Sequence, residues 1–306
     1  MRKRLFLLAA IGICITLFAQ QPAWQPDPSL TTLPLWPNAA PGAPANPAPE
    51  KTTVRPGGPI PGRTIIVLDN VYTPTLTVYP PKAANTGVAI AVFPGGAYRM
   101  LAIDIEGTEV CNWLNSLGIT CVLVKYRVPD SGPYPKFSGA LQDAQRTVGI
   151  IRAHAADWHI DPHRVGVLGF SAGAHLSAAL STHFDQRVYE PIDDADQLSC
   201  RPDFAMILYP GLIGLKEQNF APSPDIIPTD KTPPAFIAQT EFDGVGVENS
   251  IDYFLALKKV KIPAEMHLYG EAGHGYGVRS AASVGAWPKA AEIWLHTIKI
   301  LPSTAP

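Results

Sequence analysis

The chain is poor in charge and in cysteine. Asp, Glu, Lys and Arg make up 16% of its 306 residues, and 24 basic residues nearly cancel 26 acidic ones, for a formal charge of -2. Such a balance cannot supply the basic stripe that tracks a nucleic-acid backbone, nor the cationic face that holds an anionic membrane. It excludes nucleic-acid partners and suits a small, weakly charged or neutral ligand. Of the four cysteines, Cys14 lies in the apolar N-terminal run, and Cys111, Cys121 and Cys200 are scattered over elements of the body. An odd, scattered set describes neither a disulfide framework nor a metal site, and allows at most one disulfide. No internal repeat is present. Apolar residues reach 46%, enough for a sizeable core.

The N-terminus reads as an export signal, with Arg2, Lys3 and Arg4 followed by a short apolar core over residues 5–19 and then Gln20 and Gln21. That core falls short of the about 20 residues that span a bilayer, so cleavage is expected, with an uncleaved anchor as the alternative. Residues 1–20 are therefore assigned to the signal, and a secreted or periplasmic location follows. Residues 21–62 form an arm in which prolines recur every few positions. Few backbone donors remain there, and neither helix nor sheet is expected, only a tether pinned to the domain by Leu33, Leu35 and Trp36.

From residue 63 to 300, short β-rich runs bounded by Gly or Pro alternate with longer segments of helical period. Residues 65–68 and 75–79 look like an opening antiparallel pair. Strands follow at 88–93, 119–124, 165–169, 204–209, 235–240 and 264–269. A helix around Val110, Trp113, Leu114 and Leu117, then helices at 138–157, 172–181, 247–259 and 288–298, fill the intervals. This alternation predicts an α/β fold, a mostly parallel central sheet flanked by helices on both faces, with little or no cap domain.

Gly169-Phe170-Ser171-Ala172-Gly173 lies between an apolar strand and an Ala/Leu-rich helix. A G-x-S-x-G turn in that setting is sharp enough to require small flanking residues, and it lifts the serine oxygen to the carboxyl end of the sheet. Ser171 is the candidate nucleophile. An oxyanion needs backbone N–H groups from an earlier Gly-rich loop, and Pro94-Gly95-Gly96-Ala97-Tyr98 follows the 88–93 strand. Gly96 and Ala97 are candidate donors, with Ala172 as their partner and Tyr98 as a candidate substrate contact. The base should be a late histidine on a loop, and His274 stands in Gly270-Glu271-Ala272-Gly273-His274-Gly275-Tyr276-Gly277. The other seven histidines fall on helices, turns or a strand. His175, one turn beyond Ser171, is read as structural. The acid should follow the strand before that of the histidine: Asp243 is the candidate, and Glu241 the alternative. Segments 182–201 and 211–234 are the expected rims of the acyl pocket.

With these residues placed, the chain resembles α/β-hydrolases of the acetyl-xylan-esterase and feruloyl-esterase-like type from Leu33 to Ile298. The marks are Leu35-Trp36-Pro37, Phe93-Pro94-Gly95-Gly96-Ala97-Tyr98, Lys125-Tyr126-Arg127, Asp143-Ala144-Gln145-Arg146, Gly169-Phe170-Ser171-Ala172-Gly173, Arg201-Pro202-Asp203-Phe204 and Gly273-His274-Gly275. The resemblance implies the α/β-hydrolase fold and a serine carboxylesterase that needs no cofactor or metal, acting on small-molecule or glycan esters such as acetylated xylan. Three positions depart from the family: Ala97 where relatives carry a third glycine, Ala174 at another common glycine, and Phe242 before a single aspartate. A serine exopeptidase of the same fold and a non-catalytic binding protein are the rival readings. Acyl length, the alcohol moiety and the oligomeric state are not encoded in any motif.

Overall fold

A run such as Val165–Phe170, apolar at every position, can only be satisfied inside a sheet covered on both faces, and this requirement organises the molecule. The structure is a computed structural model that describes residues 23–57, 62–130, 132 and 137–302; the export signal expected over residues 1–20 lies outside these. In chain order the strands are β1 (Thr31–Pro34), β2 (Lys51–Pro56), β3 (Thr64–Asp69), β4 (Thr75–Tyr79), β5 (Ala89–Phe93), β6 (Met100–Ala102), β7 (Thr120–Lys125), β8 (Val165–Phe170), β9 (Ala205–Leu208), β10 (Gly214–Leu215), β11 (Ala221–Pro222), β12 (Ala235–Thr240) and β13 (Ala264–Tyr269). The helices are α1 (Glu109–Ser116), α2 (Ser138–Ala153), α3 (Ala172–Thr182), α4 (Glu248–Lys259) and α5 (Trp287–Thr297).

Eight strands form the main sheet in the order β1-β4-β7-β5-β8-β9-β12-β13. Pairing is antiparallel for β1 with β4 and β4 with β7, and parallel from β7 onward. The inner strands β5, β7, β8, β9 and β12 are buried at every residue. Such strands carry little alternation, because both faces meet helices. The chain order reverses beside β5 and β8, so the loops leaving their carboxyl ends flank an open crevice where ligands collect in doubly wound sheets.

Two expectations are corrected here. The arm does form sheet: β1 hydrogen-bonds along β4 with Thr31 opposite Val78, and β2 pairs with β3. Proline is tolerated in these strands because both are edges, where one row of N–H groups has no partner to supply. The runs at 65–68 and 75–79 are both strands, but they do not pair with each other. β3 joins β2 and β6 in a separate three-stranded sheet, while β4 joins the main one.

The arm is anchored by one residue above all. Trp36 is 4% exposed, donates its indole N–H to Asp143 at 2.7 Å, and lies between the guanidinium groups of Arg127 and Arg146, 5.6 and 5.2 Å from its ring centre. Asp143 also accepts the Arg127 backbone N–H at 2.9 Å and its Nε at 3.0 Å, and Arg146 donates to the Leu35 carbonyl. A buried carboxylate and two buried guanidinium groups are tolerable only when so fully bonded. Three of the sequence marks, around Trp36, Arg127 and Asp143–Arg146, thus belong to one structural cluster. Between α1 and β7, Cys111 and Cys121 form a disulfide, and Cys200 is buried as a free thiol.

Candidate active site

The turn from β8 into α3 places Ser171 at the N-terminus of the helix with φ 53° and ψ -115°. A non-glycine residue rarely occupies this region, and here the backbone is held by the Ser171 N–H donated to the Leu208 carbonyl at 3.0 Å. The turn closes only because Gly173 lacks a side chain: a Cβ there would lie 2.0 Å from the Phe93 carbonyl oxygen. The crossing that exposes Ser171 therefore also seats α3 against the end of β5.

His274 and Asp243 come to the same place from the loops after β13 and β12. His274 Nε2 is 2.7 Å from Ser171 Oγ, and Nδ1 is 2.9 and 2.8 Å from Asp243 Oδ1 and Oδ2. Asp243 is 6% exposed, and its oxygens also accept the Val245 N–H at 2.8 Å and the Gln239 side-chain N–H at 3.2 Å. Burial pushes its carboxyl up, but the hydrogen bond and charge of His274 and the other donors outweigh that and hold it below the ordinary value. Glu241, the alternative acid, is exposed.

The candidate oxyanion loop lies beside the serine. Gly95 is not among its free donors, because its N–H is donated to Glu106 Oε2 at 2.6 Å. Gly96 has φ 140°, and a Cβ on it would meet the Met100 carbonyl oxygen at 2.0 Å. Ala97 and Tyr98 follow at φ 56°. Among the described residues the amides of Gly96, Ala97 and Ala172 have no hydrogen-bond partner. Ala97, the departure from a third glycine, keeps the left-handed conformation at a cost that glycine would not incur.

A cavity of about 510 Å³ opens over Ser171, lined by Ala97, Tyr98, Pro129, Phe137, Leu212 and Val245 among others. Tyr98 forms a wall: its ring stacks on Phe137 at 3.8 Å, and its hydroxyl, 2.8 Å from His175 Nδ1, is taken up by that buried histidine. Burial raises the Tyr98 phenol well above its usual range, so it remains protonated. Of the two expected rims, the 211–234 segment supplies Gly211 and Leu212, while none of the lining comes from 182–201. That segment is instead occupied with α2: Asp196 pairs with Arg146 at 2.8 Å and with Arg187 at 3.5 Å, and Arg187 donates to the Gln145 carbonyl. Pro129 and Phe137 take its place. Sequence periodicity offers no signal for this, since both precede α2 in a loop without pattern.

Glu106 and Tyr209 also escape sequence reasoning. Glu106 sits on a π-helical turn, Asp104–Thr108, and is 4% exposed, so its carboxylate is buried beneath the oxyanion loop. One of three acids in a short stretch at a helix start, beside Asp104 and Glu109, it reads from sequence as a capping charge, and nothing in the pattern marks it as buried.

A family model described as the alpha/beta hydrolase fold matches residues 90–227. The acetylxylan esterase of Xylanibacter ruminicola is 29% identical over 215 residues, 63% of this chain and 42% of that protein. Endo-1,4-beta-xylanase B of Butyrivibrio fibrisolvens is 31% identical over 215 residues, 64% of this chain and 33% of that protein. The chain thus spans less than half the length of either. The crystal structure of an acetyl ester-xyloside bifunctional hydrolase from Caldicellulosiruptor lactoaceticus superposes with a TM-score of 0.70 at 33% identity, covering 89% of this chain and 97% of that one. The chain belongs to the α/β-hydrolase family and is an acetylxylan-esterase-like member of it.

Proposed function

We propose that the chain is an exported serine carboxylesterase that removes short acyl groups, acetyl above all, from xylan or a related glycan. The observation that carries the reading is the continuous relay Ser171 Oγ, His274 Nε2, His274 Nδ1, Asp243, with both links under 3 Å. His274 takes the Ser171 proton as Oγ bonds to the ester carbonyl carbon. The tetrahedral oxyanion is received by the amides of Gly96, Ala97 and Ala172 at the positive end of α3. Collapse breaks the bond to the alcohol oxygen, which leaves with the proton from His274, and the acyl group stays on Ser171. Water then attacks that acyl carbon, giving its proton to His274, and the acid departs as the proton returns to Ser171 Oγ. Asp243 keeps the imidazole tautomer that leaves Nε2 free to accept and stabilises the imidazolium.

A glycan as the alcohol moiety is supported by the space available and by the relatives. The cavity over Ser171 shares Pro129 and Asp130 with a second of about 350 Å³, lined also by Tyr72, Gln142 and the arm around Pro41. An extended, polar alcohol has room to run from one into the other. Export is supported by the N-terminal residues and by the Cys111–Cys121 disulfide, which persists in an oxidising compartment.

The test is hydrolysis of p-nitrophenyl acetate, acetate release from acetylated xylan and, because one relative also acts on xylosides, p-nitrophenyl xyloside, each with wild type and Ser171→Ala. Loss of both acetyl activities to background in the variant is expected. Equal activity of the two proteins, or none on any ester, overturns the reading.

A further inference from the structure

The catalytic relay accounts for Ser171, His274 and Asp243, but leaves a second buried carboxylate unexplained. Glu106 lies directly under the oxyanion loop: a Cβ on Gly95 would come within 2.7 Å of Glu106 Oε2 and 2.9 Å of Ser171 Cβ. Its two oxygens serve two different loops. Oε2 accepts the Gly95 N–H at 2.6 Å, and Oε1 accepts the Tyr209 hydroxyl at 2.9 Å. The Tyr209 oxygen in turn accepts the N–H of Gly277, three residues beyond His274, at 3.0 Å, while the Gly277 carbonyl accepts the Trp287 indole N–H at 2.7 Å. The Tyr209 ring meets that of His274 edge-on, with centres 5.1 Å apart. A single chain of hydrogen bonds therefore runs from the oxyanion loop through Glu106 and Tyr209 to the histidine loop, passing behind the nucleophile.

We propose that Glu106 is a positioning residue for acyl transfer, whose ionised carboxylate holds the oxyanion loop and the histidine loop at one fixed spacing and favours the His274 imidazolium formed during the reaction. This rests on the acyl-enzyme reading above. Two features favour a carboxylate in particular. Both of its oxygens accept, Oε2 from the Gly95 N–H and Oε1 from the Tyr209 hydroxyl, whose own oxygen already receives the Gly277 N–H; an amide or a protonated acid donating to that oxygen would leave the Tyr209 hydroxyl proton without this acceptor. The groups that face Glu106 electrostatically are Asp104 on its own turn, Tyr126 after β7, Tyr209 after β9, and His274 and Tyr276 on the histidine loop. Of these only His274 becomes a cation. Burial pushes the Glu106 carboxyl up and Asp104 adds to that, while the Gly95 N–H, the Tyr209 hydroxyl and the attraction of His274 draw it back. The tyrosines are raised by burial and remain neutral hydroxyls.

The geometry ties rate to spacing. Displacing a reacting group by about 1 Å costs on the order of 100-fold in rate, and cutting the chain of bonds removes the tie that links the two loops to each other. Neither Glu106 nor Tyr209 lines the cavity over Ser171.

The experiment uses Glu106→Gln and Tyr209→Phe in the full chain, with Ser171→Ala alongside, reading kcat, KM, the pH profile of kcat/KM and thermal melting. For Glu106→Gln the expected result is a kcat about 10- to 100-fold lower with KM within about threefold. The acid limb of its kcat/KM profile should move to lower pH, because the substitution removes the negative charge that interacts with His274. Tyr209→Phe keeps the Glu106 charge and the ring against His274, so kcat should fall while the acid limb stays in place. An unmoved acid limb in Glu106→Gln overturns the proposal, as a merely structural glutamate would alter rate and melting alone. Wild-type kcat in Tyr209→Phe also overturns it, and this arm decides the matter if Glu106→Gln does not fold. Full activity in Ser171→Ala would instead sink the acyl-enzyme reading itself, whatever the two other variants do.

Discussion

Replacing Asp243 by Asn should nearly abolish turnover while leaving the fold in place. Each Asp243 oxygen already has a second donor, Val245 N–H on Oδ1 and the Gln239 amide on Oδ2. Gln239 cannot turn over to suit an amide, because its own oxygen accepts the Ser250 hydroxyl at 2.6 Å and its nitrogen donates to the Gly246 carbonyl. Whichever way the substituted side chain is placed, its NH2 group meets a donor on one side and His274 Nδ1 on the other. An NH2 donor held against Nδ1 favours the tautomer in which Nδ1 accepts and the ring carries its proton on Nε2, and in that form Nε2 cannot take the proton of Ser171 at 2.7 Å. A wrong tautomer of this kind lowers kcat by about 10⁴-fold, which corresponds to about 5 kcal/mol in the barrier.

The same substitution has a stability signature. Asp243 has a carboxyl pKa depressed in the folded state, so its contribution is present above the unfolded value, about 3.9, and is lost as pH falls through the lower folded value. The wild type should therefore lose its stability advantage over Asp243→Asn as pH drops below about 4. Steady-state hydrolysis of p-nitrophenyl acetate and melting curves from pH 7 to pH 3 check both parts. More than about one-tenth of wild-type kcat in Asp243→Asn, against the 10⁴ expected, would refute the reasoning. So would an equal loss in Glu241→Gln, whose carboxylate is exposed.

Three further outcomes are expected. Trp36→Ala should destabilise the protein by about 3–5 kcal/mol in denaturant titration, because it empties a site between two guanidinium groups and strips one donor from buried Asp143. Reduction of the Cys111–Cys121 bond, ten residues apart in sequence, should cost about 2–3 kcal/mol by the loop-entropy argument, read as a lower midpoint in the presence of a thiol. Gly173→Ala should lower kcat about 100-fold or more, since its Cβ would lie 2.0 Å from the Phe93 carbonyl oxygen and must push α3, and Ser171 with it, off the end of β5.

Local patterns made some of this fold legible and left the rest hidden, and the division has a physical basis. The strand at 235–240 is legible as a mostly apolar run, that at 264–269 as an alternation of Ala264, Met266 and Leu268 with Glu265 and His267, and the nucleophile turn through its obligatory glycines, all of them local constraints. That Ser171, His274 and Asp243 come together is legible because the expected chain order, and their places after the carboxyl ends of β8, β12 and β13, leave few positions to choose from. Partners across the sheet are a different matter. β3 and β4 each have strand character, but only packing over long separations assigns them to different sheets. The strands of the arm are hidden by their prolines, which an edge tolerates and an inner strand does not. The 182–201 segment looks like a polar rim, and its polarity is spent inward on Arg146 and α2. Glu106 shows the limit most plainly: burial turns an ordinary surface residue type into a bridge between two loops, and burial is a property of the whole fold.

The central claim is that Ser171 is a nucleophile activated by His274. Its most direct test is stoichiometric labelling with an alkyl fluorophosphonate, in which Oγ bonds to phosphorus, fluoride leaves and His274 takes the proton, followed by mass mapping of the adduct. One adduct per chain is expected, on Ser171, and none on Ser171→Ala. Its rate should fall with the His274→Ala substitution. An unlabelled wild type, or an adduct on any other residue, would contradict it.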